Sequence, residues 1–387
     1  AYHIFRNIRM KNIGIAMRTT TAFVTDEDAL IAVLKKQCGK LWIVLELMGI
    51  SVFKEKRRKG FLYSLFRIRK ICYPLFLHCN LFYLLYGTIH TRKEVLNYAF
   101  IIDMIMPMLI NVMWWIIYMR RFKIRIFLVH VAQTMSVSLI LQTRLMAHVI
   151  DATLLLIFVY PFIIIKIMVS QSTIDSIKIV EVFRPVHEII FPSIMGVMYT
   201  AICYLFYRNL QIFKAKFKKE LNLSSMITVT KLKNNYLDVV KGVEMIENLF
   251  SVPVLMLVVK NVSIISIVVM DMMHKERNWM AEQFLEAVLQ LTFVFGTMGV
   301  LAVYAANIPL EMSGIKSVLL DKMSEQSTGD GLHCGEKQIN YIIQRDVIVL
   351  TAWNVFELDK PFILKLLIGV IAQAVVIYQL SSAVKLR

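Results

Sequence analysis

The chain has 387 residues, 58% of them hydrophobic, a mean hydropathy of +0.62, and 44 Lys+Arg against 27 Asp+Glu for a net charge of +17. Soluble domains carry about 45–50% apolar and about 25% charged residues, so this composition, with only 18% charged, excludes an ordinary water-soluble globular enzyme. A basic chain this apolar is read as a membrane protein whose Lys and Arg gather in the loops of one side, in preference to a nucleic-acid binder.

No small-residue cleavage site follows a short apolar core at the start, so no secretory signal peptide is expected and the first apolar helix should insert and stay. Residues 41–53 form a short apolar stretch, expected as an amphipathic or interfacial helix, and residues 124–141 a second. A bilayer core needs about 20 mostly apolar residues per helix. Runs of that kind occupy residues 69–90, 95–119, 147–169, 186–207, 250–271, 283–306 and 361–380, which predicts seven spans. Residues 208–240 are polar and basic with no Pro or Gly before Gly242, so the fourth span is expected to continue as a cytosolic helical extension. Residues 324–335, rich in Ser, Thr and Gly, read as a flexible linker.

Seven spans place the termini on opposite sides, and the distribution of Lys and Arg chooses the sides. With a cytosolic N-terminus, segments 1–68, 120–146, 208–249 and 307–360 hold 31 Lys+Arg, against 8 in the segments opposite. Without the long N-terminal segment the ratio is still 18 to 8. A cytosolic N-terminus and an extracellular C-terminus follow, the reverse of G-protein-coupled receptors. The Asp-Arg-Tyr and Asn-Pro-x-x-Tyr motifs of the rhodopsin-like class are absent as well.

No HxxxH, HExxH, GxSxG or Gly-rich phosphate loop occurs, so neither an enzyme nor a metal or cofactor site is expected. The five cysteines (Cys38, Cys72, Cys79, Cys203, Cys334) are scattered and odd in number, which fits reduced thiols. His148 and Asp151 form the closest His–acid grouping and read as a helix-start pair. The glycosylation patterns at Asn222 and Asn261 fall in a cytosolic segment and within a span, so neither should be modified. No repeat of fixed period is present, which counts against a transporter built from inverted halves.

Ionisable residues inside spans are costly and mark function by default. Asp103, Lys166, Lys260 and Glu286 are such residues. Asp103, Lys166 and Glu286, together with Tyr98, Tyr160, Trp279 and Gln290 at similar depth, are the candidates for an aromatic and polar cavity open to the outside, suited to a small organic ligand. The competing expectation is structural: Asp103 pairs with a Lys, and the aromatics form an interfacial belt.

Near the C-terminus the chain reads Thr351-Ala-Trp-Asn-Val-Phe356-Glu-Leu-Asp359-Lys-Pro-Phe362, followed by an apolar helix ending Ala372-Gln-Ala-Val-Val-Ile-Tyr-Gln379-Leu380. This resembles the end of insect gustatory receptors, in which a Thr-Ala-x-x-x-Phe-x-Leu-Asp-like turn leads into a last helix bearing Thr-Tyr, five apolar residues and Gln-Phe. Gln379 stands at the family's Gln, Ala374 to Tyr378 at its apolar block and Leu380 at its Phe, while Ala372 and Gln373 replace Thr and Tyr. Tyr236-Leu-Asp-Val-Val with Glu247-Asn-Leu-Phe250 is similar to the family's cytosolic lead into its fifth helix.

The resemblance implies a ligand-gated cation channel assembled as a homotetramer or heterotetramer in the plasma membrane of chemosensory neurons. Its permeant ions would be monovalent and divalent cations, its ligand a small organic tastant, its surroundings the lipid bilayer, and its pore lined by the seventh helix. Sugar-type members carry Glu soon after the Tyr, where this chain has Ala374 and Val375, so a bitter or orphan type is favoured.

At 3.6 residues per turn, Gln379, Val376 with Val375, and Ala372 share one stripe of that helix, Leu380 adjoining at the outer end. Facing a four-fold axis, the stripe makes an apolar barrel that closes by dewetting, under a ring of amides. The competing reading has Gln379 ending the helix at headgroup level. Lys365, nearly four turns further in, would repel cations from such a path and is expected to point aside.

The expected fold is thus all-α: a single seven-helix membrane domain over 1–387, with a cytosolic or interfacial segment 1–68, cytosolic extensions 208–249 and 307–360, and a pore helix 361–380. A divergent odorant receptor subunit and a small-solute transporter are the alternatives.

Overall fold

The computed structural model describes residues 38–53, 61–91, 98–134, 144–171, 179–220, 226–273, 281–326 and 333–385, together with positions 32 and 35. The elements are α1 (Leu41–Leu47), α2 (Phe61–Thr91), α3 (Tyr98–Thr134), α4 (Arg144–Gln171), α5 (Ile179–Glu220), α6 (Met226–Met273), α7 (Ala281–Gln326), α8 (His333–Gln344), strands β1 (Thr351–Ala352) and β2 (Phe356–Glu357), and α9 (Phe362–Lys385). The two strands pair antiparallel, Thr351 opposite Glu357 and Ala352 opposite Phe356, so the fold is nearly all-helical, with one small hairpin.

Among the described residues four helices, α4 to α7, are long and apolar enough to cross a membrane. The apolar parts of α2 and α9 among the described residues are shorter, Ile71–Gly87 and Phe362–Ala372. Seven prolines sit inside the six helices α2 to α7, and the eighth, Pro361, directly precedes α9. Such prolines each remove one backbone donor and are tolerated in membrane helices because neighbours bond the freed carbonyl.

The centre of the bundle is α5, on which α2, α3, α4, α6 and α7 all pack. Of its most apolar window 67% is buried, against 33% in α4 and 28% in α7, which turn most of their apolar surface outward. Outward-facing Leu, Phe and Ile are what a helix bordered by lipid requires. The terminal helix α9 packs on α6 and α7, and α8 packs on the same pair.

The apolar core is richest at the end of the bundle that carries α8 and the hairpin, referred to below as the hairpin end. There Phe127 of α3 stacks on Phe206 of α5 with ring centroids 5.9 Å apart, and Phe250 of α6 meets Phe127 edge-on at 6.3 Å. Close approach of α5 to α6 depends on Gly242, where a Cβ would lie 2.6 Å from a ring carbon of Phe206.

All seven helices α2 to α7 and α9 extend past the apolar runs that marked them, α3, α5, α6 and α7 by the most. The second span continues as one helix through Thr134, so residues 124–134 are no separate interfacial helix; residues 135–141 lie outside the described residues. Ile124, Phe127, Leu128 and Val131 recur at helical spacing and are all buried, which carries the helix past the charged run at Arg120–Arg125. The helix of the fourth span continues only to Glu220: the rest of the extension expected over 208–240, from Met226 onward, belongs to α6, and residues 221–225, with Asn222 among them, lie outside the described residues. Of the residues expected as a linker over 324–335, the first three belong to α7 and the last three to α8, and 327–332 lie outside the described residues. The short helix expected in 41–53 is α1, whose Leu41, Trp42, Val44 and Leu45 are buried, with the Trp114 indole N–H donating to the Met48 carbonyl at 3.0 Å. Asp151 of α4 accepts from the Lys40 backbone N–H at 2.8 Å, tying α1 to the start of α4.

Candidate functional site

At the far end of the bundle, α4 and α7 meet through Tyr160, whose ring stacks on Phe293 at 4.3 Å between centroids and 8° between planes. The Tyr160 hydroxyl is buried with no hydrogen-bond partner. One turn from Phe293, Gln290 donates through Nε2 to Glu286 Oε1 at 3.0 Å, and the Glu286 carboxylate acts electrostatically on the Tyr160 hydroxyl. Tyr160, Glu286 and Gln290 are therefore brought together, two aromatic rings beside an amide and a carboxylate. Phe293 was missed in the sequence, although 286, 290 and 293 form one helical stripe.

Lys166 is exposed on α4, while Tyr160 is buried. Tyr98 and Asp103 lie in the first turns of α3, but their side chains are outside the described residues, as is Trp279 altogether. The buried polar side chains Asn80, Asn111, His187, Lys260, Asn261 and Ser266 complete the far half. Asn111 Nδ2 donates to the Pro107 carbonyl at 3.1 Å, beside which His187 also lies; Asn111 Oδ1, Asn80 Nδ2, Asn261 Nδ2 and Ser266 Oγ are left without a partner. Lys260 of α6 is 2% exposed and has the Glu188 carboxylate of α5 as its counter-charge. Among the described residues no group of three His, Cys, Asp or Glu is placed to hold a metal ion.

The terminal helix offers the bundle only one side. Phe362 and Val370 are buried and Ile363 touches Gly299 of α7, whereas Ala372, Val375, Val376 and Gln379 are exposed; the Leu380 side chain lies outside the described residues. Lys365, exposed on α9, forms an ion pair with Asp359 Oδ2 at 2.6 Å.

Ahead of α9, the hairpin turns through Trp353 and Asn354, with φ of 50° and 56°, closed by the Val355 N–H donating to the Ala352 carbonyl at 3.0 Å. Two successive left-handed residues make a type I′ turn, which suits Asn and strains Trp. The hairpin is fastened to α6. The Thr351 backbone N–H donates to Glu247 Oε2 at 2.9 Å and its hydroxyl to Glu247 Oε1. Arg345, following α8, pairs with Glu244 Oε1 at 2.6 Å, and Lys316 of α7 donates to the Arg345 carbonyl. From α3, Arg120 Nη1 donates to the carbonyls of Leu249 at 2.7 Å and Asn248 at 3.1 Å.

This overall fold is shared with solved proteins. The insect olfactory receptor OR5 from Machilis hrabei superposes with a TM-score of 0.71 over 92% of this chain and 100% of that one, at 11% identity. The same receptor in complex with eugenol gives a TM-score of 0.70 over 91% and 99%, again at 11% identity. The chain has the insect olfactory-receptor fold. No family model matches it, and no curated protein matches it in sequence. The olfactory-receptor fold agrees with the fold implied by the resemblance that the C-terminal residues carry. With its apolar helices, the chain is a multi-pass membrane protein. Within this fold the two stretches that carried the resemblance are in contact, since Glu247 belongs to one and Thr351 to the other.

Proposed function

We propose that the chain is a gustatory-type chemoreceptor: a ligand-gated, nonselective cation channel, opened by a small organic tastant and built as a tetramer around α9. The hairpin end faces the cytosol in this reading, and α2 to α7 with α9 make seven spans. Bitter or orphan ligands are favoured over sugars by Ala374 and Val375. The observation that carries the reading is α9 itself, an apolar helix that leaves Ala372, Val375, Val376 and Gln379 uncovered by its own bundle. Four copies meeting through that stripe give an apolar constriction that gates by dewetting, below amides that offer carbonyl oxygens to a hydrated cation.

Tyr160, Phe293, Glu286 and Gln290, with Tyr98 and Asp103 from the start of α3 and Trp279 before α7, supply the ligand site. An aromatic wall with a few convergent polar groups is the composition such sites have. Eugenol, bound by the Machilis hrabei receptor, is an aromatic small molecule of the class such a wall accepts.

Voltage clamp of cells expressing the full chain tests the reading, with Gln379→Glu as the variant. A ring of carboxylates in place of amides should raise unitary cation conductance or shift the reversal potential, with ligand potency changed little. Unchanged permeation with a displaced dose response removes Gln379 from the conduction path. Saturable counterflow without unitary steps makes the chain a carrier.

A further inference from the structure

We propose that the stretch of α6 from Glu244 to Pro253 is a coupling joint, in which Glu247 and Arg120 are positioning residues that transmit movement of the bundle to the terminal helix. The proposal rests on the channel reading above and assigns the route by which a distant ligand acts on α9.

Three connections meet within these ten residues, about 14 Å of helix at 1.5 Å per residue. Pro253 has no N–H, so the carbonyl four residues earlier, that of Leu249, loses its intrahelical donor. Arg120 supplies the missing bond at 2.7 Å and also reaches the Asn248 carbonyl, so α3 holds the break in α6 closed. Two residues before Leu249, both carboxylate oxygens of Glu247 are engaged by Thr351 through its N–H and hydroxyl. The same hydroxyl accepts from the Asn354 N–H at 3.0 Å, which locks the turn whose second strand ends five residues before α9. Glu244, one turn earlier, holds Arg345 at the other end of the segment leading into the hairpin.

The consequence is directional. A helix weakened at Pro253 bends there more easily than elsewhere, and whatever bends it carries Glu247 along. Because Glu247 holds the hairpin backbone, the hairpin and the start of α9 follow. Leu358 N–H donates to the Leu350 carbonyl at 3.0 Å, so the hairpin moves as a unit. Charge-assisted hydrogen bonds of this kind are strong enough to bias a two-state equilibrium about tenfold.

The test compares Thr351→Val, Thr351→Ser and Glu247→Ala in the full chain by patch clamp, with saturating eugenol as the probe and surface expression measured alongside. Thr351→Val keeps the side-chain shape and removes the hydroxyl. It should lower the ratio of evoked to ligand-free open probability about tenfold at unchanged unitary conductance and surface level. Thr351→Ser should restore that ratio to within about twofold, and Glu247→Ala should match the valine variant. Should Glu247→Ala fail to reach the surface, the isosteric pair at Thr351 carries the test. Ratios for Thr351→Val within about twofold of the parent, or a change in unitary conductance instead of open probability, overturn the joint. A parent chain that passes no current with or without eugenol overturns the channel reading beneath it.

Discussion

The two ends of the helical bundle differ in how their buried polar groups are met. At the hairpin end, Arg120, Glu244, Glu247, Lys316 and Arg345 form charge-assisted bonds across α3, α6, α7 and the segment around the hairpin, while the Tyr236 hydroxyl and Asp359 Oδ1 are buried there without a partner. At the far end, Asn80, Asn111, Tyr160, Asn261 and Ser266 each bury a polar atom without a partner. An unmade buried hydrogen bond costs about 1–3 kcal/mol, so the far end gains less from its buried polar groups than the hairpin end does from its charge-assisted bonds.

The contrast is broken most severely at the aromatic core. Phe250→Ala removes a fully buried ring from the hairpin end and should cost about 3–5 kcal/mol, read as a large fall in the thermal unfolding midpoint in detergent. A midpoint within a degree or two of the parent would show that the hairpin end is not the stable half.

Tyr160→Phe sharpens the other side. It removes a hydroxyl that bonds nothing while keeping the stack on Phe293, so stability should be unchanged or raised by up to about 1 kcal/mol. A loss of 2 kcal/mol or more on the scale of a missing buried bond means that the hydroxyl has a structural partner, and that the far end is satisfied after all.

The smallest effect concerns Cys38, a buried free thiol beside α1. Burial pushes its pKa up to about 12, against an ordinary value near 9, so the thiolate is scarce at neutral pH and becomes available only as the pH rises through that range. Labelling by a water-soluble maleimide at pH 7.5, followed by mass spectrometry, should leave Cys38 unmodified in the folded chain and modify it once the chain is unfolded. Equal labelling in both states means that the segment around α1 opens freely.

Much of this was legible before any coordinates. Long apolar runs located the centres of α2 to α7 and α9 because desolvated helix is the one conformation such runs sustain in a bilayer. Their ends were less legible, because outside the membrane hydropathy no longer marks helix. Arg120, Arg121, Lys123 and Arg125 concealed a buried stripe at 124, 127, 128 and 131 that periodicity alone would have revealed. Of the candidate ligand residues that the structure brings together, Glu286 was singled out by the cost of ionisable groups inside a span, and Tyr160 and Gln290 by their similar depth. Lys166 was placed by the same cost, yet its side chain is exposed, since depth along a helix does not fix the face. The hairpin was visible only through resemblance, for Trp353 is no turn-former and nothing in its side chain announces a positive φ. The bond from Glu247 to Thr351 spans 104 residues and follows from no local pattern.

Six of the long helices each have proline in their interior, and α9 has none, so its amide ladder is unbroken from Phe362 onward. A rod without a weak point cannot crumple under load; it can only swing or twist about its foot, where Pro361 and the Lys365–Asp359 ion pair stand. Leverage then grows with distance from that foot. A small tilt imposed near Phe362 becomes a sideways travel several times larger at Gln379, about 26 Å along the axis by helix rise.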